Sequence, residues 1–190
     1  MSGTSTSKPG VRQMTVIALV AVMILIAKTT LRMPIKVPGH GGVLWIAALI
    51  IGRAVVRRPG SATLMGLIGG TLVAIFVPGD TAMFFTVLKY VLPGLMLDML
   101  APLFDGRFDR MPFAVLVGGV AHACKVVVDL LQGLAAGLPR SVLFTGVTFE
   151  LALHIAFGAL GGLIAAIVLR VLIRAQIPQL AELKDRGDST

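Results

Sequence analysis

The sequence predicts an all-α integral membrane protein: a six-transmembrane-helix bundle with its N- and C-termini cytoplasmic. Composition is the first reason. Of the 190 residues, 56% are hydrophobic and only 14% are charged, and the mean hydropathy of +0.94 lies far above the range of soluble domains. Length is the second reason, because the chain has room for about six helices of roughly 20 residues each and short loops. The third reason is the placement of the basic residues.

Six apolar runs follow one another along the chain. They cover about 14–31, 41–56, 61–77, 81–104, 111–138 and 142–174. Segments rich in Pro and Gly, such as "RRPGS", "VPGD" and "GLPRS", separate the later runs, because these residues end helices. The fifth and sixth runs exceed a straight span, so we expect them to tilt or project.

The ends of the chain differ from this apolar middle. We interpret residues 1–12 as a disordered cytoplasmic N-terminus, 13–175 as the membrane domain and 176–190 as a cytoplasmic tail. The first apolar run lacks a small-residue cleavage site, which favours a retained helix over a signal peptide.

Basic residues are distributed unequally between the two sides of the predicted bundle. With a cytoplasmic N-terminus, eleven Lys and Arg residues fall on the cytoplasmic side and three on the other, while three more lie within runs. The eleven are Lys8, Arg12, Arg53, Arg57, Arg58, Arg107, Arg110, Arg170, Arg174, Lys184 and Arg186. This positive-inside bias predicts a multi-pass protein of the cell (inner or plasma) membrane. It also explains the net charge of +8 by contact with anionic lipid rather than with nucleic acid.

Polar residues occur inside the fifth run, in the stretch "AHACKVVVDLLQG" at 121–133. His122, Lys125, Asp129 and Gln132 follow one another in steps of three, four and three, which places them on one face of a helix. Lys125 and Asp129 are spaced to form an i, i+4 pair. Ionisable residues at membrane depth usually face a bundle interior or a wet cavity.

Other helices contribute similar residues. The fourth run carries Lys89 and Tyr90, the sixth carries Glu150 and His154, and the loop at 32–42 carries His40. Most of these side chains fall in the outer half of the bilayer, which favours a pocket that opens to the exterior. The alternative is a network of ion pairs that orients the helices, for example Lys89 with Glu150 and Lys125 with Asp129. The loop at 32–42 is either a lid over this pocket or a plain connector.

Several kinds of chemistry lack their motifs. The chain contains no Walker A, HExxH or GxSxG sequence, and its single cysteine excludes a CxxC site. The three histidines are predicted to lie at different depths, with His122 in the inner half, so we expect no metal site. We also expect no cofactor. The GxxxG spacings at 66–70 and 158–162 favour close packing within the chain over self-association.

The chain resembles the substrate-binding S components of energy-coupling factor (ECF) transporters over roughly residues 12–174. The resemblance rests on the start "TVIALVAVMILIAK", the Pro/Gly-rich loop "RMPIKVPGHGG" and the small-residue run "GSATLMGLIGGTLVAIF" after a basic turn. It implies binding of a vitamin or vitamin precursor and partnership with a transmembrane coupling subunit and cytoplasmic ATPases. It further implies that the first outer loop and the outer parts of helices four to six hold the substrate.

The residues that this resemblance assigns to the substrate are those of the polar positions above: His40, Lys89, Tyr90, Lys125, Asp129, Gln132, Glu150 and His154. Small residues of the first helix dock the coupling subunit in that family, at an AxxxA spacing. Here Ala18 and Ala21 stand at an AxxA spacing instead. Two other classes stay open: a membrane scaffold of the MreD type without a ligand, and a small membrane enzyme with Asp129, Glu150 and His154 as acid–base groups.

Overall fold

The computed structural model describes residues 10–30, 38–77 and 82–175, and all of its regular elements are helices. The helices are α1 (Val11–Thr30), α2 (Gly42–Val56), α3 (Ser61–Phe76), α4 (Met83–Leu100), α5 (Met111–Ala135) and α6 (Arg140–Arg174). A 3-10 helix, Ala101–Phe104, extends α4. Most of the predicted N-terminal segment, the tail at 176–190 and part of the loop at 32–42 lie outside the described residues.

Four of the described helices are long and apolar enough to cross a membrane: α1, α4 with its 3-10 extension, α5 and α6. The helical membrane class that the composition predicts is therefore confirmed at this level. Helices α2 and α3 have 15 and 16 residues, which correspond to about 22–24 Å and fall short of a hydrocarbon core of about 30 Å. Helix α6 has 35 residues, and most of its residues from 140 to 152 are exposed.

Helix α2 is the centre of the bundle. It packs against each of the other five α-helices, and eleven of its fifteen residues are buried. Around it, α1 packs on α3, α3 on α4, α4 on α5, and α5 on α6. Because the sequence of α2 is apolar on all sides, it is suited to a position that other helices enclose.

Two helix pairs cross at very short range through glycine. A Cβ atom on Gly66 of α3 would overlap the carbonyl oxygen of Tyr90 in α4, and one on Gly162 of α6 would overlap that of Ala114 in α5. Gly158 meets the backbone of Gly118 in the same way. The expectation that both GxxxG spacings serve packing within the chain is thus confirmed.

Of the nine arginines in the described residues, all but Arg140 lie at one end of the bundle, which we call the basic end. Arg53 of α2 contacts Asp98 of α4 there, and the Arg170 Nε donates to the carbonyl of Asp109, 2.9 Å away. The start of α1 lies beside the end of α2, because Arg12 and Val56 line the same cleft. Eight of the eleven basic residues that the sequence assigns to one side therefore share one end of the fold, and Lys8, Lys184 and Arg186 lie outside the described residues.

Asp98 links three helices at this end. Its Oδ2 accepts hydrogen bonds of 2.8 Å from both the backbone N–H and the hydroxyl of Thr63. Helix α3 has Gly60 at its N-cap and no capping side chain of its own, so Asp98 supplies from α4 the acceptor that the first turn of α3 needs. The Asp98 Oδ1 lies 2.7 Å from the Arg53 Nε, and both side chains are under 10% exposed.

Replacing Asp98 by Asn is expected to destabilise the bundle by about 3–5 kcal/mol, because it leaves Arg53 buried without its counter-charge. The measurement is the midpoint of thermal unfolding in detergent. The matched control is Asp105→Asn, since Asp105 is exposed and has a φ of 50°, a conformation that Asn tolerates well. Equal midpoints for the two variants would contradict a stabilising role for the Arg53–Asp98 pair.

Candidate functional site

The polar face of α5 forms as its spacing predicts. One turn of helix separates Lys125 from Asp129, and the Lys125 Nζ lies 3.2 Å from the Asp129 Oδ2. The two side chains retain 27% and 19% of their exposure. Charged side chains at i and i+4 meet on a helix surface, so this pair follows directly from the sequence.

Helix α4 adds Lys89 to this face. The Lys89 Nζ lies 2.6 Å from the Asp129 Oδ1 and donates a 2.7 Å hydrogen bond to the Gln132 Oε1. Asp129 therefore receives one ammonium group on each of its carboxylate oxygens. The sequence suggested Glu150 as a partner for Lys89, and the ion pair that the structure gives is with Asp129.

Helix α6 completes the group with His154. Its Nδ1 lies 2.8 Å from the carbonyl oxygen of Glu150, and its Nε2 lies 3.3 Å from the Lys125 Nζ. A carbonyl oxygen can only accept, so the Nδ1 carries the proton and the Nε2 accepts from the Lys125 ammonium. His154 is then a neutral imidazole. It accepts a hydrogen bond from Lys125 of α5 and donates one to the backbone of its own helix, α6.

We call these side chains the polar cluster; its members are Lys89, Lys125, Asp129, Gln132, Glu150 and His154. Ligand atoms of Asp129, Glu150 and His154 all lie within 4.8 Å of one another. Two carboxylates and an imidazole are a donor set that divalent transition metals accept. The two ammonium groups beside Asp129 oppose a further positive charge, however. The cluster is better suited to a molecule that carries groups of both signs.

His122 requires a correction to the sequence interpretation. We predicted that it lies deeper in the bilayer than His154, but the two rings are 4.7 Å apart between centroids. The His122 Nδ1 also lies 2.9 Å from the backbone oxygen of His154. His154 is the fifteenth residue of α6, which begins at Arg140, and the packing of α6 on α5 sets it level with His122.

Trp45 lies near the site and was not predicted from the sequence. Its ring lies 5.3 Å from that of His122 in an edge arrangement and 5.0 Å from that of Tyr90. Four rings thus form a wall beside the polar cluster, in the order Tyr90, Trp45, His122 and His154. Tyr90 itself is buried in the core and contacts Trp45, so it belongs to this wall and not to the ion pairs.

The turn that precedes α2 lies on the polar cluster. Gly39 has a φ of +82°, and a Cβ atom there would come within 3.3 Å of the His154 Cα. Gly42, at the start of α2, offers the space that the His122 ring fills. His40 stands between these two glycines and is half-buried. Residues 32–37 of this loop, which was predicted to be either a lid or a plain connector, are outside the described part of the chain.

The two alanines of the predicted docking face separate in the fold. Ala18 is exposed on α1, whereas Ala21 is fully buried against the rest of the chain. In this conformation only Ala18 is available to a partner, and the docking role itself stays a prediction.

The polar cluster lies away from the basic end and is partly accessible. On α4, Lys89 is near the start of the helix and Asp98 near its end. The side chains of Lys89 and Asp129 retain 16% and 19% of their exposure, about twice the 8% and 7% of Arg53 and Asp98. The Arg53–Asp98 pair is thus nearly closed to solvent, whereas the Lys89–Asp129 pair is partly exposed.

Comparisons of the chain with protein-family models, with curated proteins and with solved structures find no match.

Proposed function

We propose that this chain is a substrate-binding membrane subunit that holds a vitamin-like or vitamin-precursor-like small molecule in the polar cluster for ATP-driven uptake. In this proposal all six α-helices cross the cell membrane, both termini are cytoplasmic, and the polar cluster faces outward. The partners are a transmembrane coupling subunit and cytoplasmic ATPases, as the resemblance to ECF S components implies. The chain itself binds its ligand without converting it.

One observation carries the proposal: α4 and α5 direct opposite charges, and α6 directs a neutral imidazole, to one partly accessible point. Lys89 comes from α4, Asp129 from α5 and His154 from α6. Charges at membrane depth are costly and usually mark a ligand or ion pathway.

The chemistry of the polar cluster favours a class of ligand. Its two lysines and two carboxylates are equal in number, so a ligand with one charge only would leave a group unpaired in a poorly solvated place. The favoured ligand carries an anionic group, which binds the lysines, and a cationic or donor group, which binds Asp129 or Glu150. Its binding replaces the ion pairs within the polar cluster by ion pairs with the ligand. The wall of rings that includes Trp45 offers apolar contact to such a ligand.

Mass spectrometry of the small molecules that co-purify with the protein tests the proposal. We expect one compound with both charge types, at up to one copy per chain, in wild type and in the surface control Asp105→Asn. Lys125→Met should lose it, because the substitution removes a cation from the polar cluster and keeps the apolar stem. A compound that is absent from wild type, or that survives Lys125→Met unchanged, would favour the scaffold alternative. Chemical conversion of the added compound would favour the enzyme.

The proposed topology has its own test, because Cys124 is the only cysteine. Single cysteines can be introduced into a Cys124→Ser background. Leu138→Cys places one in the turn between α5 and α6, and Leu103→Cys places one at the basic end. Both positions are exposed. We expect a membrane-impermeant maleimide to label position 138 in intact cells and position 103 only after permeabilisation. The reverse pattern would contradict the proposed orientation.

A further inference from the structure

A cleft opens at the basic end between the start of α1 and the end of α2. It has a volume of about 200 Å³ and is lined by Arg12, Gln13, Val16, Val55 and Val56. The valines form an apolar wall, and Arg12 and Gln13 provide the polar part. The polar cluster is elsewhere in the fold, so this cleft is a separate feature of the molecule.

The charges around the cleft are mostly positive. The described residues of the basic end include eight arginines and three aspartates, and Asp98 is already paired with Arg53. The arginines are Arg12, Arg53, Arg57, Arg58, Arg107, Arg110, Arg170 and Arg174. None of the five residues that line the cleft is acidic. An anion at its mouth would therefore be attracted both by Arg12 and by the charge of the whole end.

The position of the cleft along α1 matches the structure of a bilayer surface. Helix α1 is long and apolar enough to span, and Arg12 is its second residue, so the proposed topology puts Arg12 at the level of the headgroups. Val16 follows one turn further towards the hydrocarbon. A phospholipid has the same order, with a phosphate outside and an apolar chain inside. Basic pockets between transmembrane helices are known to suit acidic lipid headgroups.

We propose that this cleft binds an anionic phospholipid, with Arg12 on the headgroup phosphate and the valines against the first carbons of an acyl chain. A guanidinium group forms charge-assisted, two-point hydrogen bonds with phosphate. The apolar wall favours a lipid over free phosphate, which would gain nothing from the valines. The proposal does not depend on the function of the polar cluster.

Native mass spectrometry of the delipidated, detergent-solubilised chain tests this site. The probes are phosphatidylglycerol and phosphatidylcholine, offered in equal amounts. We expect wild type to retain the anionic lipid about tenfold more than the zwitterionic one. Arg12→Gln should reduce this preference to about twofold. Arg174→Gln, which removes an exposed arginine outside the cleft at the same end, should keep it.

A second variant separates the cleft from the general charge. Val55→Trp fills the apolar part without changing any charge, so it should also lower retention of phosphatidylglycerol. Equal losses in Arg12→Gln and Arg174→Gln would overturn the proposal in favour of diffuse attraction. The proposal would also be overturned if Val55→Trp retained phosphatidylglycerol as well as wild type does. Displacement of the lipid by millimolar inorganic phosphate would overturn it too. Thermal unfolding midpoints within a few degrees of wild type confirm that the variants are folded.

Discussion

Adding one methyl group at Gly162 is expected to prevent the normal packing of α5 against α6. A Cβ atom there would overlap the backbone of Ala114, and the backbone nitrogen and Cα of Gly162 already lie 3.0 Å from where a Cβ on Gly118 would stand. Backbone atoms cannot move aside as a side chain can. Overpacking of cores typically costs 1–3 kcal/mol, and we expect Gly162→Ala to exceed about 3 kcal/mol because both helices would have to separate.

Gly146 of the same helix provides the matched control. A Cβ atom at Gly146 would meet nothing within 4 Å, and alanine stabilises a helix interior by roughly 0.5–1 kcal/mol relative to glycine. Gly146→Ala should therefore unfold at the same or a slightly higher temperature than wild type. Gly162→Ala should give little monodisperse protein in size-exclusion chromatography, or a strongly lowered midpoint. Similar behaviour of both variants would show that α5 and α6 do not cross at Gly162.

The helix boundaries could be predicted well where local chemistry sets them. The second run was placed at 41–56, and α2 is Gly42–Val56; the third was placed at 61–77, and α3 is Ser61–Phe76. Between them, "RRPGS" contains a proline that disrupts the helix and Gly60, whose φ is +81°. Such signals act over a few residues, so a single sequence contains them in full.

The site could be predicted only in part, because helical spacing reports on one helix at a time. The Lys125–Asp129 contact follows from i, i+4 geometry, and the sequence found it. The ion pair of Lys89 with Asp129 depends on how α4 and α5 are rotated against each other, which no local pattern specifies. Trp45 was missed for the same reason: an aromatic residue in an apolar run looks like ordinary core. The relative depths of His122 and His154 were wrong because they depend on how α5 and α6 are aligned, which the spacing within one helix does not report.

Replacing Asp129 by Asn is expected to abolish retention of the bound molecule and to lower the unfolding midpoint. The carboxylate lies 2.6 Å from the Lys89 ammonium and 3.2 Å from that of Lys125. The amide that replaces it has one acceptor oxygen and no charge. Both lysines would then share Glu150 as their nearest remaining carboxylate. Loss of one partner from a buried, hydrogen-bonded charge group costs about 2–5 kcal/mol, which corresponds to a 30-fold or greater loss of affinity.

A double-mutant cycle separates the binding role of Asp129 from its structural role. Lys89→Gln together with Asp129→Asn restores the balance of charges, so we expect the unfolding midpoint to recover much of what Asp129→Asn alone loses. Retention of the co-purified molecule should not recover, because the polar cluster has lost one of the two lysines and one of the two carboxylates that would bind it. If the double variant regains both stability and ligand, Asp129 serves only to neutralise Lys89. If Asp129→Asn alone keeps its ligand, the polar cluster is an ion-pair network that orients helices, and the uptake proposal fails with it.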